Sequence, residues 1–250
     1  ETPAIISGLL LARGAGTARD GKLWHEVLLN GSVVLLLEVA GDTAGAFVLL
    51  PAGQLPQPAQ YEPTTWSELA ATIKAKSAAA IDLQGGDARI SLAGAQDKAG
   101  IAIFADGVPR LPRGTAPSTH ILKPDNPRLP GSVQNEALCM VLARRIGINV
   151  APVTTGVAGQ RSYLLVERYD RTGTGNNVRR LHQEDFCQAI GIPSAQKYQN
   201  MGGPSIVDGL KLLQSADEPL KDQAAFFKAQ IINWLIGATD GHGKNFSIFL

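Results

Sequence analysis

The strongest constraint on the fold is a change of hydrophobic period along the chain. Ile101 and Ile103 alternate with less apolar neighbours, and His120 to Lys123 and Ser162 to Arg168 read as further strands. Between the last two lies a single helical stretch. Ser132 suits its N-cap, Leu138, Val141, Leu142 and Ala143 form a face, and Gly147 suits the left-handed position that ends a helix. Beyond residue 168 the pattern becomes mostly helical, and Phe227, Ile231, Trp234 and Leu235 make a stripe stopped at Gly237. Strands, one helix, a strand and then helices is an α+β order, compatible with a sheet lobe and a helical lobe flanking a cleft.

Shorter signals fill in the remainder. Asp106-Gly107 predicts a type I′ hairpin turn after the strand at Ile101, because both residues tolerate positive φ. Apolar runs at Ile5 to Leu11 and Val33 to Val39 suggest a first small unit, and the Pro-rich stretch from Pro51 to Pro63 reads as a connector. A helix is expected from Trp66 through Leu69 toward Ile73, and a turn at Gly85 to Gly86. The last residues, Phe246 to Leu250, alternate like a strand with no turn after them, and the first is Glu1 rather than Met, so both ends read as cut.

Composition excludes several classes. With 23 basic and 22 acidic residues the net charge is +1, which gives no bulk attraction to nucleic acid or anionic membrane. No run approaches the roughly 18 to 20 apolar residues of a membrane helix, and no signal peptide is recognisable, so a cytoplasmic protein is expected. Cys139 and Cys187 lack C-x-x-C spacing and read as packed thiols.

The densest chemical signal is TDGHGKN, Thr239 to Asn245. Asp240 and Asn245 are separated by four residues in a Gly-containing loop, so both side chains can point into one cleft, as in a kinase catalytic loop. There the carboxylate handles the attacking hydroxyl's proton and the amide oxygen helps hold magnesium. His242 and Lys244 would add a hydrogen bond and positive charge near the transferred phosphate. By spacing alone the same residues also fit an Asx-rich turn. In SLAGAQDK, Ser91 to Lys98, the small residues Ala93, Gly94 and Ala95 let backbone N–H groups approach an anion, with Ser91, Gln96 and Lys98 as polar contacts. A plain turn between strands is the blander reading. Lys123 in a strand and Glu136 in the next helix each read singly as surface charges. Together, and in this order, they match the lysine that neutralises α and β phosphates and the glutamate that holds it.

The segments SLAGAQDK, THILKP, NEALCMVLARRIGINV, LLVERYDR, LHQEDFCQAIGIPSAQKY and IGATDGHGKN resemble, in order, the signature segments of HipA-like serine/threonine kinases, toxins of type II toxin–antitoxin systems. The resemblance covers about residues 88 to 250, and residues 22 to 52 look like the end of that family's N-terminal subdomain. It implies a protein-kinase-like two-lobed fold with an incomplete C-lobe: 1–58 a remnant of the N-terminal subdomain, 59–170 the N-lobe with its phosphate loop, and 171–250 the start of the helical C-lobe with the catalytic loop. It further implies ATP and Mg2+, transfer to serine in a protein such as glutamyl-tRNA synthetase, and a DNA-binding antitoxin of HipB type, with DNA engaged only through that antitoxin and no membrane. Ser91 corresponds to the autophosphorylated serine, Lys123 to the phosphate contact, Asp240 to the catalytic carboxylate and Asn245 to a magnesium ligand. Glu167 and Tyr169 fall in the segment beside the adenine. The family's second magnesium aspartate lies beyond Leu250, so these residues alone are expected to be inactive. A catalytically incomplete kinase-like binding module is therefore the alternative, and a small-molecule kinase with the same loop spacing is a third reading.

Overall fold

The computed structural model describes residues 41–43, 58–69, 89–91, 98–238 and 240–250. The expected early apolar runs, the Gly85 to Gly86 turn and residues 92–97 of the phosphate loop lie outside them. Two compact units emerge, one ending at His182 and the other running from Gln183 to Leu250.

The first unit is built on a six-stranded sheet. Its strands are β2 (Gln60–Pro63), β4 (Ala99–Ile103), β5 (Pro109–Arg113), β6 (His120–Pro124), β7 (Val153–Ala158) and β8 (Arg161–Glu167), in the spatial order β2-β5-β4-β6-β8-β7. Every neighbouring pair is antiparallel. Two further short strands, β1 (Gly41–Thr43) and β3 (Arg89–Ser91), pair in parallel, with Thr43 opposite Ser91. The end of the expected Pro-rich connector is thus a strand rather than a linker. It lies at the sheet edge, where Pro63 costs no internal ladder bond.

Alternation sorts the sheet's two faces. Leu122, Tyr163 and Leu165 join Leu69, Ala99 and Ile101 on one side, where Trp66 stacks on Tyr163 at 4.8 Å between ring centroids. Ile121, Leu164, Val166 and Val153 face the other side and pack against Val133, Ala137 and Met140 of helix α1 (Ser132–Arg145). Lys123, two residues after Ile121 in a strand of period two, shares the helix-covered face.

Three local expectations are corrected here. The face of α1 that packs is Val133, Glu136, Ala137 and Met140, whereas Leu138, Val141 and Leu142 are 67%, 46% and 44% exposed. The packing stripe contains Glu136, so hydrophobicity alone selects the wrong side of this helix. Ser132 does not cap it either: the N-cap is Gly131, at φ 84, with no side-chain cap bond. The Asp125 carboxylate at the end of β6 does that work, accepting from the N–H of Val133 (3.2 Å) and of Gly131 (3.3 Å) and from the Ser132 hydroxyl (2.6 Å). Those bonds, the Ser132 hydroxyl first, hold its pKa below the ordinary aspartate range. Finally, the hairpin turn after β4 is displaced by one residue. Gly107 N–H donates to Phe104 O, which makes Ala105 and Asp106 the corner residues. Asp106 accepts from Arg110 and from Val108 N–H, and its pKa falls to about 2.

The second unit contains β9 (Gln183–Asp185), α2 (Phe186–Ile190), α3 (Ile206–Leu212), α4 (Pro219–Leu235) and β10 (Ser247–Phe249), with β9 and β10 antiparallel. Capping boxes start two of the helices, Asp185 with Gln188 and Ser205 with Asp208. Phe186, Phe226 and Phe246 meet at centroid distances of 5.1 to 5.8 Å around Leu213. Gly209 permits that cluster, since a Cβ there would lie 2.7 Å from the Phe226 ring. Helix α4 ends before Gly237, which adopts φ 68. Its expected apolar stripe, however, is exposed, from 43% at Ile231 to 80% at Trp234, and Phe226 and Ile232 are the buried residues instead.

Candidate functional site

The chemistry-bearing residues fall into two groups, one in each unit. In the sheet unit, Lys123 Nζ lies 2.5 Å from Glu136 Oε1, the two side chains being 22% and 29% exposed. Period two in β6 turns Lys123 toward α1, and helical spacing from Val133 places Glu136 one turn along the same face. Lys98, immediately before β4, is half-buried beside them. Burial pushes its pKa down, the Lys123 ammonium adds to that, and Glu136 opposes it. Lys98 and Lys123 thus both bring an ammonium group to this locality, the kind of charge that attracts phosphate oxygens.

At the end of β8 the segment VERYDR is anchored from beneath. Arg168 makes a two-pronged contact to Asp170 (2.9 and 2.8 Å) and donates to Ser118 Oγ (3.0 Å). Arg171 meets Asp170 Oδ2 at 2.9 Å and donates to the Ser118 carbonyl. The Arg168, Asp170 and Arg171 side chains are at most 5% exposed. Burial is the largest single influence on Asp170 and raises its pKa, but the two guanidinium groups outweigh it and the net direction is down. Glu167 and Tyr169 lie on the exposed side of this anchored segment, Tyr169 at 58%. The Glu167 N–H is engaged by Pro152 O and the Arg168 N–H by Thr119 O. The buried triad was absent from the sequence-level site, although its signal was there: two arginines bracketing an aspartate directly after a strand.

In the helical unit, residues 240–245 form a loop closed on itself. His242 N–H donates to Asp240 O and Asn245 N–H to His242 O, and Gly243 to Asn245 form one 3-10 turn. The Asn245 amide nitrogen also donates to Asp240 O. Asn245 is exposed, so its amide oxygen remains the atom that can face a cation. Lys244 is held at 2.6 Å by Asp185 Oδ2, whose other oxygen caps α2. The first residue past the loop, Phe246, enters the aromatic core, so the loop is fixed at its C-terminal side by packing. Gly243 must be glycine, because a Cβ would meet Pro204 and Cys187 at under 3 Å.

The Asp240 side chain is 75% exposed, with Oδ1 accepting a 2.7 Å hydrogen bond from the Tyr198 hydroxyl. His242 is almost fully buried, its Nε2 3.6 Å from the same oxygen, and its Nδ1 has no hydrogen-bond partner among the described residues. Tyr198 was not singled out from sequence as a site residue. It lies 42 positions from Asp240, and no spacing rule connects them. Ser91 has its backbone in β3, while Ala93, Gly94, Ala95 and Gln96 lie outside the described residues.

Among the described residues no group of three or more His, Cys, Asp or Glu side chains could hold a metal.

A strand lysine paired to a helix glutamate, followed in the chain by an Asp-x-x-x-x-Asn loop, defines an α+β fold of the protein-kinase-like class. Residues 90–250 match the family model described as the HipA-like C-terminal domain, and the chain belongs to that family. It is 42% identical over 222 residues to the Sinorhizobium fredii protein named "Putative kinase Y4mE", covering 86% of this chain and 53% of that one. It is 32% identical over 236 residues to the "Serine/threonine-protein kinase toxin HipA" of Shewanella oneidensis, covering 88% and 54%. The chain therefore spans about half the length of these curated relatives. Among solved structures it matches the complex of Shewanella oneidensis HipA, HipB and operator DNA with a TM-score of 0.73 at 28% identity, over 93% of this chain and 58% of that one. Among the described residues no helix is long and apolar enough to cross a membrane.

Proposed function

We propose that this protein is an ATP-dependent serine/threonine kinase of the toxin type, whose acceptor is a serine hydroxyl in another protein and, at Ser91, in itself. The observation that carries the reading is the Lys123–Glu136 ion pair, made across a strand and a helix and joined by Lys98. An ordinary surface pair needs no second ammonium group beside it, whereas a triphosphate does.

The chain's own residues divide the work. Lys123, held by Glu136, would neutralise the α and β phosphates, and Lys98 would add charge next to them. Glu167 and Tyr169 would flank the adenine. Asp240 would orient the acceptor hydroxyl and take its proton, as the oxygen attacks phosphorus and the bond to the departing ADP oxygen breaks. Asn245 would hold magnesium, which when bound neutralises charge on the transferring phosphoryl group. His242, buried with Nε2 3.6 Å from Asp240 Oδ1, would act beside the transferred phosphate through that carboxylate. Lys244 serves through Asp185, keeping the loop against α2.

Glutamyl-tRNA synthetase is the acceptor to test first, and a DNA-binding protein of HipB type the partner; the relative's complex with HipB and operator DNA supports the latter. The test is mass spectrometry of the full-length protein, with and without purified glutamyl-tRNA synthetase, before and after incubation with magnesium and ATP. One added phosphate on Ser91, and one on the synthetase, is the expected result. No phosphate on either, and none transferred from labelled ATP to any protein of a cell lysate, would leave the binding-module reading in place.

A further inference from the structure

The segment Lys197 to Gly203 is a bracket behind the loop that carries Asp240. Gly243 N–H donates to Lys197 O, tying the loop's backbone to the bracket. One residue on, the Tyr198 hydroxyl donates to Asp240 Oδ1 at 2.7 Å. The Tyr198 ring meets the buried His242 ring edge-on at 5.0 Å, and the Lys197 ammonium lies over the Tyr198 ring, 5.0 Å from its centre. The bracket is itself tightly folded. A 3-10 turn spans Gln199–Met201, Gly202 N–H closes on Gln199 O, and a Cβ at Gly203 would collide with the Gln196 and Tyr198 carbonyl oxygens.

A carboxylate that is 75% exposed would, left alone, sample several rotamers. Here one of its oxygens is claimed by a phenol whose ring is fixed by packing, and the second oxygen is left for another hydroxyl. We infer that Tyr198 is a positioning residue for phosphoryl transfer: it holds Asp240 by Oδ1 so that Oδ2 is presented to the acceptor hydroxyl. The inference rests on the kinase reading above. It adds a residue from a different segment of the chain to the catalytic loop, and it gives that residue a role separate from nucleotide binding. The raised pKa of the Tyr198 phenol, caused first by its bond to Asp240, agrees with that contact.

The test compares wild type and Tyr198→Phe in the full-length protein, because Phe keeps the ring against His242 and removes only the donor. The expected result is a fall in kcat of about tenfold, equivalent to about 1.4 kcal/mol, with the ATP dissociation constant, KM for ATP and melting temperature unchanged. A joint fall in kcat, ATP affinity and melting temperature would show a merely structural tyrosine and overturn the proposal, as would unchanged kcat. An activity-free measurement separates this from the kinase reading. The Tyr198 ring-carbon resonance next to the hydroxyl should titrate above the ordinary tyrosine range in wild type and fall back in Asp240→Asn. If it titrates normally in both, the hydrogen bond is absent and the proposal fails even for an active kinase; if it shifts as expected but wild type transfers no phosphate, the contact stands and the catalytic role is lost with the kinase reading.

Discussion

The two groups of site residues are held by different physics. Lys123 and Glu136 project from a central strand and from the helix that covers it, and their backbones are fixed by Leu164, Val166 and Val133 around them. Asp240 lies on a loop, three-quarters exposed, and is placed by a hydrogen bond from Tyr198 and by the packing of Phe246 and Gly243 nearby. Under the proposed function the first arrangement would suit a charge that is ready whenever nucleotide arrives, because the core that orients it is already assembled. Under the same proposal the second would suit a base that meets a bulky protein acceptor, which exposure would allow. The cost is that its geometry depends on a few polar contacts.

Breaking the loop side should have the largest effect. Asp240→Ala is expected to lower phosphoryl transfer by about three to four orders of magnitude while ATP affinity changes by less than about threefold, measured by single-turnover transfer and by calorimetry. Retained transfer would end the catalytic assignment. On the sheet side, Arg168→Ala removes the two-pronged partner of a buried carboxylate and leaves it Arg171, so it should cost about 3 kcal/mol of stability, the low end for breaking a buried pair, read as a lower melting temperature. Because Asp170 has a depressed pKa in the folded protein, its contribution is present above the ordinary aspartate range near 4 and is lost as pH falls below that range. Melting of Arg168→Ala and wild type should therefore converge in acid; a constant gap down to pH 2 would contradict the linkage.

Lys123→Ala should weaken ATP affinity by about ten- to a hundredfold and leave Glu136 without its partner. If kcat fell instead with affinity intact, the division of labour between the two groups would be wrong. The smallest effect is expected at Asp125, where Ala removes the cap of α1 and should cost about 1 kcal/mol in chemical denaturation. A matching loss of ATP affinity in that variant would show that α1, and with it Glu136, is held less firmly than its packing implies.

How much of this was legible in the sequence differs by element. The strands at 99–103, 120–124 and 161–167, the helix at 132–145, and the glycines after this helix and after the one ending at Leu235 follow from period and local chemistry, and they are found within one or two residues of expectation, whereas the start of the later helix at Pro219 was not foreseen. The faces of the two helices were not legible. In α1 the stripe that packs carries Glu136, and in α4 the stripe that packs runs through Phe226 rather than Phe227, so the more apolar side of each helix is the exposed one. A hydrophobic count ranks sides by composition; only the position of the sheet or of Phe186 decides which side is covered.

The same boundary separates the parts of the site. Order along the chain determined the strand lysine, the helix glutamate and the Asp240 to Asn245 loop, because each depends on spacing within one segment and on residue types that the chemistry demands. Tertiary structure alone decided that Tyr198 meets Asp240, that Lys244 turns to Asp185, that Asp125 caps the helix bearing Glu136, and that Arg168, Asp170 and Arg171 close on Ser118. Most of these contacts join residues from segments far apart along the chain, and their partners are chosen by burial: a charge or donor removed from water must find a partner where packing has placed one, and no local pattern in the sequence records where that is.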